Sequence, residues 1–171
     1  MNEKQLADMV LGQLEPNFYI DREVPGRHFS GKTFRLDAVV RPKDPSLWLN
    51  QGVAMGVEFK DVLRLRGCTR NFTRWLGQCV DYSNTCWGSF GYLHIFACPG
   101  LLDGIPMSSQ SRSDVERVLK AVLGQLGIGE LPDLPRYGRS FILHSQHRIW
   151  SMARGVESGK HYSLAREFGS R

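Results

Sequence analysis

Asp37, Glu58 and Lys60 are two carboxylates and an amine set into successive apolar stretches, Phe34-Arg35-Leu36-Asp37-Ala38-Val39-Val40 and Val57-Glu58-Phe59-Lys60. Both stretches read as β-strands, because alternating residues rich in Val and Phe suit a pleated, half-buried surface. On the second strand, period-two geometry sends Glu58 and Lys60 to one face and Val57 and Phe59 to the other. Asp37 lies among apolar residues, where a carboxylate is costly unless it is paired or coordinated. A divalent cation would supply that partner. Mg²⁺ prefers hard oxygen ligands, takes one or two protein carboxylates, and leaves positions for water and a substrate phosphate. Lys60 would then orient the attacking water and offset charge building on the phosphoryl oxygens. The chemistry implied is metal-dependent hydrolysis of a phosphodiester. A plain structural salt bridge is the competing reading of the same residues.

The elements that must position these groups follow in a simple order. A first helix starts with Asn2 as cap and Gln5 completing a capping box, and it stops before Pro16. Strands are expected at Phe18 to Val24, Thr33 to Arg41 and Val53 to Lys60, with the loop Pro42 to Gly52 tucking Trp48 and Leu49 against the core. A long helix, Arg66 to Trp87, carries an apolar stripe of Phe72, Trp75, Leu76, Cys79, Val80 and Trp87, and a strand Phe90 to Cys98 follows. Arg66, Arg70, Arg74 and Gln78 recur every fourth residue, so they form a slanting polar row suited to phosphates or to simple solvation.

This arrangement resembles the PD-(D/E)XK nuclease superfamily, in which an acid near the end of one strand is followed by Asp or Glu, any residue, and Lys on the next. The matching residues are Asp37, Glu58 and Lys60, and the likeness spans about Glu3 to Cys98. Leu36 stands where the name-giving Pro would be; many relatives lack that Pro and carry an Arg two before the Asp, as Arg35 does here. Gln78 and Tyr82 match a Gln-x-x-x-Tyr element found on the long helix of many members, with the Gln near the metal. A Glu on the first helix reaches the metal shell in many relatives; Glu3 is the candidate by position, and Glu23 on the first strand is the other.

The resemblance implies an α/β fold, a mixed central β-sheet flanked by helices in a restriction-endonuclease-like core. It implies an Mg²⁺- or Mn²⁺-dependent nuclease, endonuclease or exonuclease, of resolvase, repair or mobile-element type, with Asp37 and Glu58 as metal ligands and Asp37, Glu58, Lys60 and Gln78 as the catalytic set. Nucleic acid, DNA before RNA, would be the partner, met by Lys32, Arg35, Arg66, Arg70, Arg74 and Tyr82. A catalytically silent nucleic-acid-binding module on the same fold is the alternative.

A different motif competes. Gly26-Arg27-His28-Phe29-Ser30-Gly31-Lys32-Thr33 satisfies the phosphate-loop pattern in full. That motif needs a helix to begin at its Lys-Thr, so that amide N–H groups face the phosphates. Here the chain continues as Phe34 to Val40, which is strand-like, so Pro25 to Lys32 is expected to be a hairpin turn and nucleotide binding the weaker expectation.

The 171 residues suit one domain, with a core at about 3–98 and a C-terminal extension at about 113–168. No apolar run suggests a membrane span or a secretory signal, so a cytoplasmic protein is expected. The net charge of +5 is concentrated: Lys60, Arg64, Arg66, Arg70 and Arg74 face only Asp61 in that stretch, an excess that favours a polyanion. Cys68, Cys79, Cys86 and Cys98 lack zinc-like spacing and read as reduced, mostly buried thiols. His144 and His147 sit on a strand-turn segment, structural or phosphate-facing rather than metal-binding.

A polar connection, Pro99 to Arg112, precedes a helix whose capping box is Ser113 and Glu116 and whose stop is Gly127. After a loop, Ile128 to Gly138, the pieces Ser140 to His144, Arg148 to Ala153 and His161 to Phe168 read as an antiparallel meander. This basic tail, with Trp150 and Tyr162 as stacking surfaces, has three open uses: gripping nucleic acid, building a homodimer interface, or extending the main sheet at its edge.

Overall fold

The computed structural model describes residues 1–61, 69–100, 109–143 and 147–157, together with the backbone of 161–163 and 166–168. Arg64, Arg66, Cys68, most of the 99–112 connection and His144 lie outside the described residues.

Asn2 opens helix α1 (Glu3–Leu14) by the expected reciprocal box: its side chain accepts the Gln5 N–H at 2.9 Å, and the Gln5 side chain accepts the Asn2 N–H at 3.0 Å. The chain then lays down β1 (Phe18–His28), β2 (Thr33–Pro42) and β3 (Met55–Phe59) as an antiparallel run. Helix α2 (Thr69–Ser83) and a two-residue β4 (Thr85–Cys86) follow, then β5 (His94–Cys98), helix α3 (Ser109–Gln125) and β6 (Ile128–Glu130). Strands β3, β5 and β6 are parallel neighbours, with α2 and α3 in the two crossovers that parallel pairing requires. The sheet continues antiparallel through β8 (Gly138–Leu143), β9 (His147–Ser151) and β10 (Gly155–Val156), while β7 (Asp133–Leu134) pairs beside β8. The fold is therefore mixed α/β, with ten strands in one mixed sheet.

Every residue of β3 and β5 is buried, as strands covered on both faces should be. Val10, Leu11 and Leu14 of α1 pack on one face against Met55, Val57, Phe59 and Phe141. Trp75 and Cys79 of α2 and Leu123 of α3 cover the other face against Ala97 and Ile128. Trp48 joins the first of these clusters, as expected of its loop.

Several expected boundaries move, each for a physical reason. Strand β1 runs on to His28 because β2 pairs with it as far as Arg27 and Thr33; Pro25 is tolerated because the short β4 borders β1 only at Arg27 and His28. Helix α2 stops at Ser83, not Trp87, because side chains take its last carbonyls: Ser83 Oγ and Asn84 Nδ2 both donate to Val80 O, and Thr85 Oγ1 donates to Asp81 O. Trp87 instead lies on β1, where a Cβ on Gly26 would sit 2.4 Å from its ring. Helix α3 is already formed at Ser109, so Ser113 and Glu116 are interior residues and not a cap, while Gly127 does follow its end with φ +77°. The expected loop 128–138 contains β6 and β7; Gly129 disguised β6, and only a glycine fits there, since a Cβ would meet Ile142 O at 2.4 Å. Trp150 is core, 4.8 Å from Phe18 between ring centroids, and is not a stacking surface. Within the expected piece His161 to Phe168 the described residues form two short strands, β11 (His161–Ser163) and β12 (Arg166–Phe168), paired with each other apart from the main sheet.

Among the described residues no helix is long and apolar enough to cross a membrane.

Candidate active site

Strands β2 and β3 pair at Val40–Met55, Val39–Gly56 and Ala38–Val57, and go no further. Just beyond the last pair stand Asp37 and Glu58. The Phe59 N–H donates to Asp37 Oδ2 at 2.7 Å, so the carboxylate fills the place vacated by the ladder.

Asp37 also marks a change of phase. Phe34 and Leu36 pack on the α2 side, whereas Ala38 and Val40 pack on the α1 side. Strict alternation would keep all four on one face, as the sequence suggested. Strand β1 slips at the matching place: Phe18 and Ile20 belong to the α1 side and Val24 to the α2 side. The register pairs Arg22 with Ala38 and Val24 with Leu36, and Glu23 between them has φ +56°, a conformation rarely adopted by a residue with a side chain. Backbone irregularity of this kind is concentrated where a chain aims functional groups.

Glu58 and Lys60 do share the face toward α2, as expected. Gln78, one turn before the buried Tyr82, ties them together: its Nε2 donates to Glu58 Oε1 at 2.6 Å and to Tyr82 Oη at 2.9 Å, and its Oε1 accepts from Lys60 Nζ at 3.4 Å. Tyr82 Oη donates in turn to Arg35 O at 3.0 Å, which links α2 to β2. Tyr82 is thus a buried brace and not a contact for nucleic acid, a correction forced by its 6 % exposure. Burial pushes its phenol up to about 12.

Glu58 is 4 % exposed, and among the described residues its Oε2 has no hydrogen-bond donor. Burial pushes its carboxyl well above the usual range; the neighbouring Asp37 charge pushes the same way, and Lys60 offsets only part. Burial also raises Asp37, against the Phe59 N–H that favours its charged form. The two carboxyl groups are neighbours, and the charge of Asp37 opposes ionisation of Glu58. Such a pair resists carrying two charges, and a bound cation would relieve that cost.

Glu3, in the first turn of α1, adds a like-charge effect on both acids and lines two clefts. One, of ≈ 400 Å³, is bounded by Glu3, Arg22, Glu23, Asp37 and Phe59; the other, of ≈ 330 Å³, by Glu3, Lys60, Arg74, Trp75 and Gln78. The structure therefore brings together Asp37, Glu58, Lys60 and Gln78, with Glu3 and Arg74 on the walls. Glu23 borders Asp37's cleft, but its carboxylate binds Arg35 Nε at 2.6 Å on the exposed side. Arg70 is exposed near the start of α2, and Lys32 is exposed in the β1–β2 turn, about 16 Å along the strand from Asp37. Arg66 lies outside the described residues.

The Phe59 N–H and the twist at Glu23 had no signature in the sequence; Tyr82's bracing role was present only as its i,i+4 spacing from Gln78. Among the described residues no group of three or more His, Cys, Asp or Glu gathers for a metal. The acids that meet are a pair, and a pair is what Mg²⁺ commonly takes from protein. The orphaned Glu58 oxygen beside Asp37 fits that cation. Gly26 to Thr33 closes a hairpin, with β2 and not a helix beginning at Thr33. Cys79 and Cys98 are buried, and Cys86 is partly exposed. No family model, no curated protein and no solved structure matches this chain.

Proposed function

We propose that this protein is a metal-dependent nuclease of the PD-(D/E)XK type that hydrolyses phosphodiester bonds in DNA. The observation that carries the reading is the carboxyl pair of half-buried Asp37 and buried Glu58 at the divergence of β2 and β3, joined to Lys60 through Gln78. Asp37 and Glu58 would hold Mg²⁺ or Mn²⁺, with Glu3 the acid beside them. The cation, when bound, supplies Lewis acidity and an acidified water.

The chain's own groups do the rest. Gln78 fixes the plane of the Glu58 carboxylate and the direction of the Lys60 ammonium. Lys60 orients the attacking water and counters charge that grows on the phosphoryl oxygens. Arg74, on the wall of the same cleft, and the exposed Arg70 hold the neighbouring phosphates. A binding module without turnover would gain nothing from a desolvated acid pair, which costs folding stability whenever both members ionise.

The test incubates wild type and Lys60→Ala with supercoiled plasmid, single-stranded DNA and a four-way junction in Mg²⁺, Mn²⁺ or EDTA. Wild type should cut, EDTA should abolish cutting, and Lys60→Ala should be slower by about 100-fold or more. Cleavage that survives EDTA, or equal rates for the two proteins, would refute the reading.

A further inference from the structure

We propose that the tip of the β1–β2 hairpin is a nucleic-acid wedge, in which Phe29 inserts between neighbouring bases while Arg27 and Lys32 grip the flanking phosphates. Phe29 is 79 % exposed, and among the described residues no large apolar side chain is more so. A single exposed ring is ordinary in itself; one held on a fixed turn between two exposed cations is what points to a ligand.

The ring is held there by a built turn. The His28 N–H donates to Lys32 O at 2.9 Å, and the Gly31 N–H returns to His28 O at 2.9 Å, with Gly31 at φ +86°. His28 is itself buried; its Nδ1 accepts the Ser30 N–H at 3.2 Å and lies 2.8 Å from Ser30 Oγ. Its imidazole supports Phe29 from below, with ring centroids 4.1 Å apart, and meets Phe34 edge-on. The tip is therefore preorganised, which lowers the ordering cost of inserting its ring.

Charge selects the partner. From Val24 to Leu36 the chain has Arg27, Lys32 and Arg35 and no Asp or Glu. Arg35 is matched by Glu23, whereas Arg27 and Lys32 are exposed and form no ion pair among the described residues. One apolar ring between two free cations is the pattern of a side chain that unstacks a base step while its neighbours hold the backbone. By the β1–β2 register Phe29 lies six strand positions from the level of Asp37, about 20 Å or about six base steps, so the wedge would act that far from the cut. This deepens the nuclease reading and rests on it for the class of ligand.

The test uses the full chain in EDTA, where nothing is cut, with short DNA duplexes carrying 2-aminopurine at successive positions. Wild type should raise the fluorescence at a local position; Phe29→Ala should abolish the rise and bind about tenfold more weakly. The double variant Arg27→Gln, Lys32→Gln should keep the rise at saturation and flatten the salt dependence of binding by about two ions. No rise with wild type, or the same rise and affinity with Phe29→Ala, overturns the wedge. Phe29-dependent binding to phosphatidylglycerol vesicles and none to DNA overturns it also. A wild type that cuts nothing in Mg²⁺ yet gives the Phe29-dependent rise keeps the wedge and removes the nuclease; cutting with no rise does the reverse.

Discussion

Asp37 Oδ2 accepts the Phe59 backbone N–H at 2.7 Å, across the point where β2 and β3 cease to pair. A side chain there does the work of a strand carbonyl, and in doing so it is pinned beside Glu58. Divergence of two strands is ordinary at a sheet's end. Divergence with both sides furnished by acids, one of them buried, is not, because each acid pays for desolvation unless a proton or cation joins them.

Metal-free protein should lose stability as pH rises. Asp37 and Glu58 both have folded-state values raised above the unfolded ones, so the folded chain binds more protons, and unfolding free energy declines from about pH 4 upward toward the raised Glu58 value. Thermal melts in EDTA should therefore show a lower Tm at alkaline than at mildly acidic pH. Glu58→Gln, which removes the charge, should flatten that slope, and Mg²⁺ should raise the wild-type Tm most at alkaline pH. A wild-type slope unchanged by Glu58→Gln would argue against the pair as its source.

Gln78→Leu should cost both stability and activity. It leaves Glu58 Oε1 without its donor and frees Lys60, so a loss of about 1–3 kcal/mol in denaturant melts is expected. Groups that orient metal ligands commonly matter by about 10–100-fold, and cleavage should fall by that much. An active, stable Gln78→Leu would remove it from the site.

Tyr82→Phe separates bracing from chemistry. The hydroxyl links Gln78 to Arg35 O and touches no reacting group, so its loss should cost about 0.5–1.5 kcal/mol. Because Lys60 and Glu58 stay in place, the cleavage rate should fall less than in Gln78→Leu. A larger loss in Tyr82→Phe would mean that the phenol acts directly.

Much of the site was legible because strand alternation and helical i,i+4 spacing are strong periodic signals. Those rules placed Glu58 with Lys60 and Gln78 with Tyr82, and the capping box at Asn2 and Gln5 formed as read. What failed was whatever depends on a partner far along the chain. Trp87 continued α2's apolar spacing but was claimed by Gly26, while Gly129 looked like loop because its role is close backbone approach across the sheet. The phase slip at Glu23 and Asp37 broke the alternation rule itself, at the residue where the acid had to be turned.

Gly26→Ala should be destabilising for a reason unrelated to nucleotides. The added methyl would meet the Trp87 ring and Thr85, so about 1–3 kcal/mol should be lost to overpacking. Mg-ATP should give no thermal shift in wild type, since the phosphate-loop pattern is spent on a hairpin. An ATP-dependent rise in Tm that Lys32→Ala removes would reverse that conclusion.

The most direct measurement is a titration of metal-free protein with Mn²⁺, followed by electron paramagnetic resonance of the unbound ion. Wild type should bind an ion at the carboxyl pair, and Glu58→Gln and Asp37→Asn should each bind it at least about tenfold more weakly. Equal binding by all the proteins, or none by wild type, would contradict a cation site at Asp37 and Glu58.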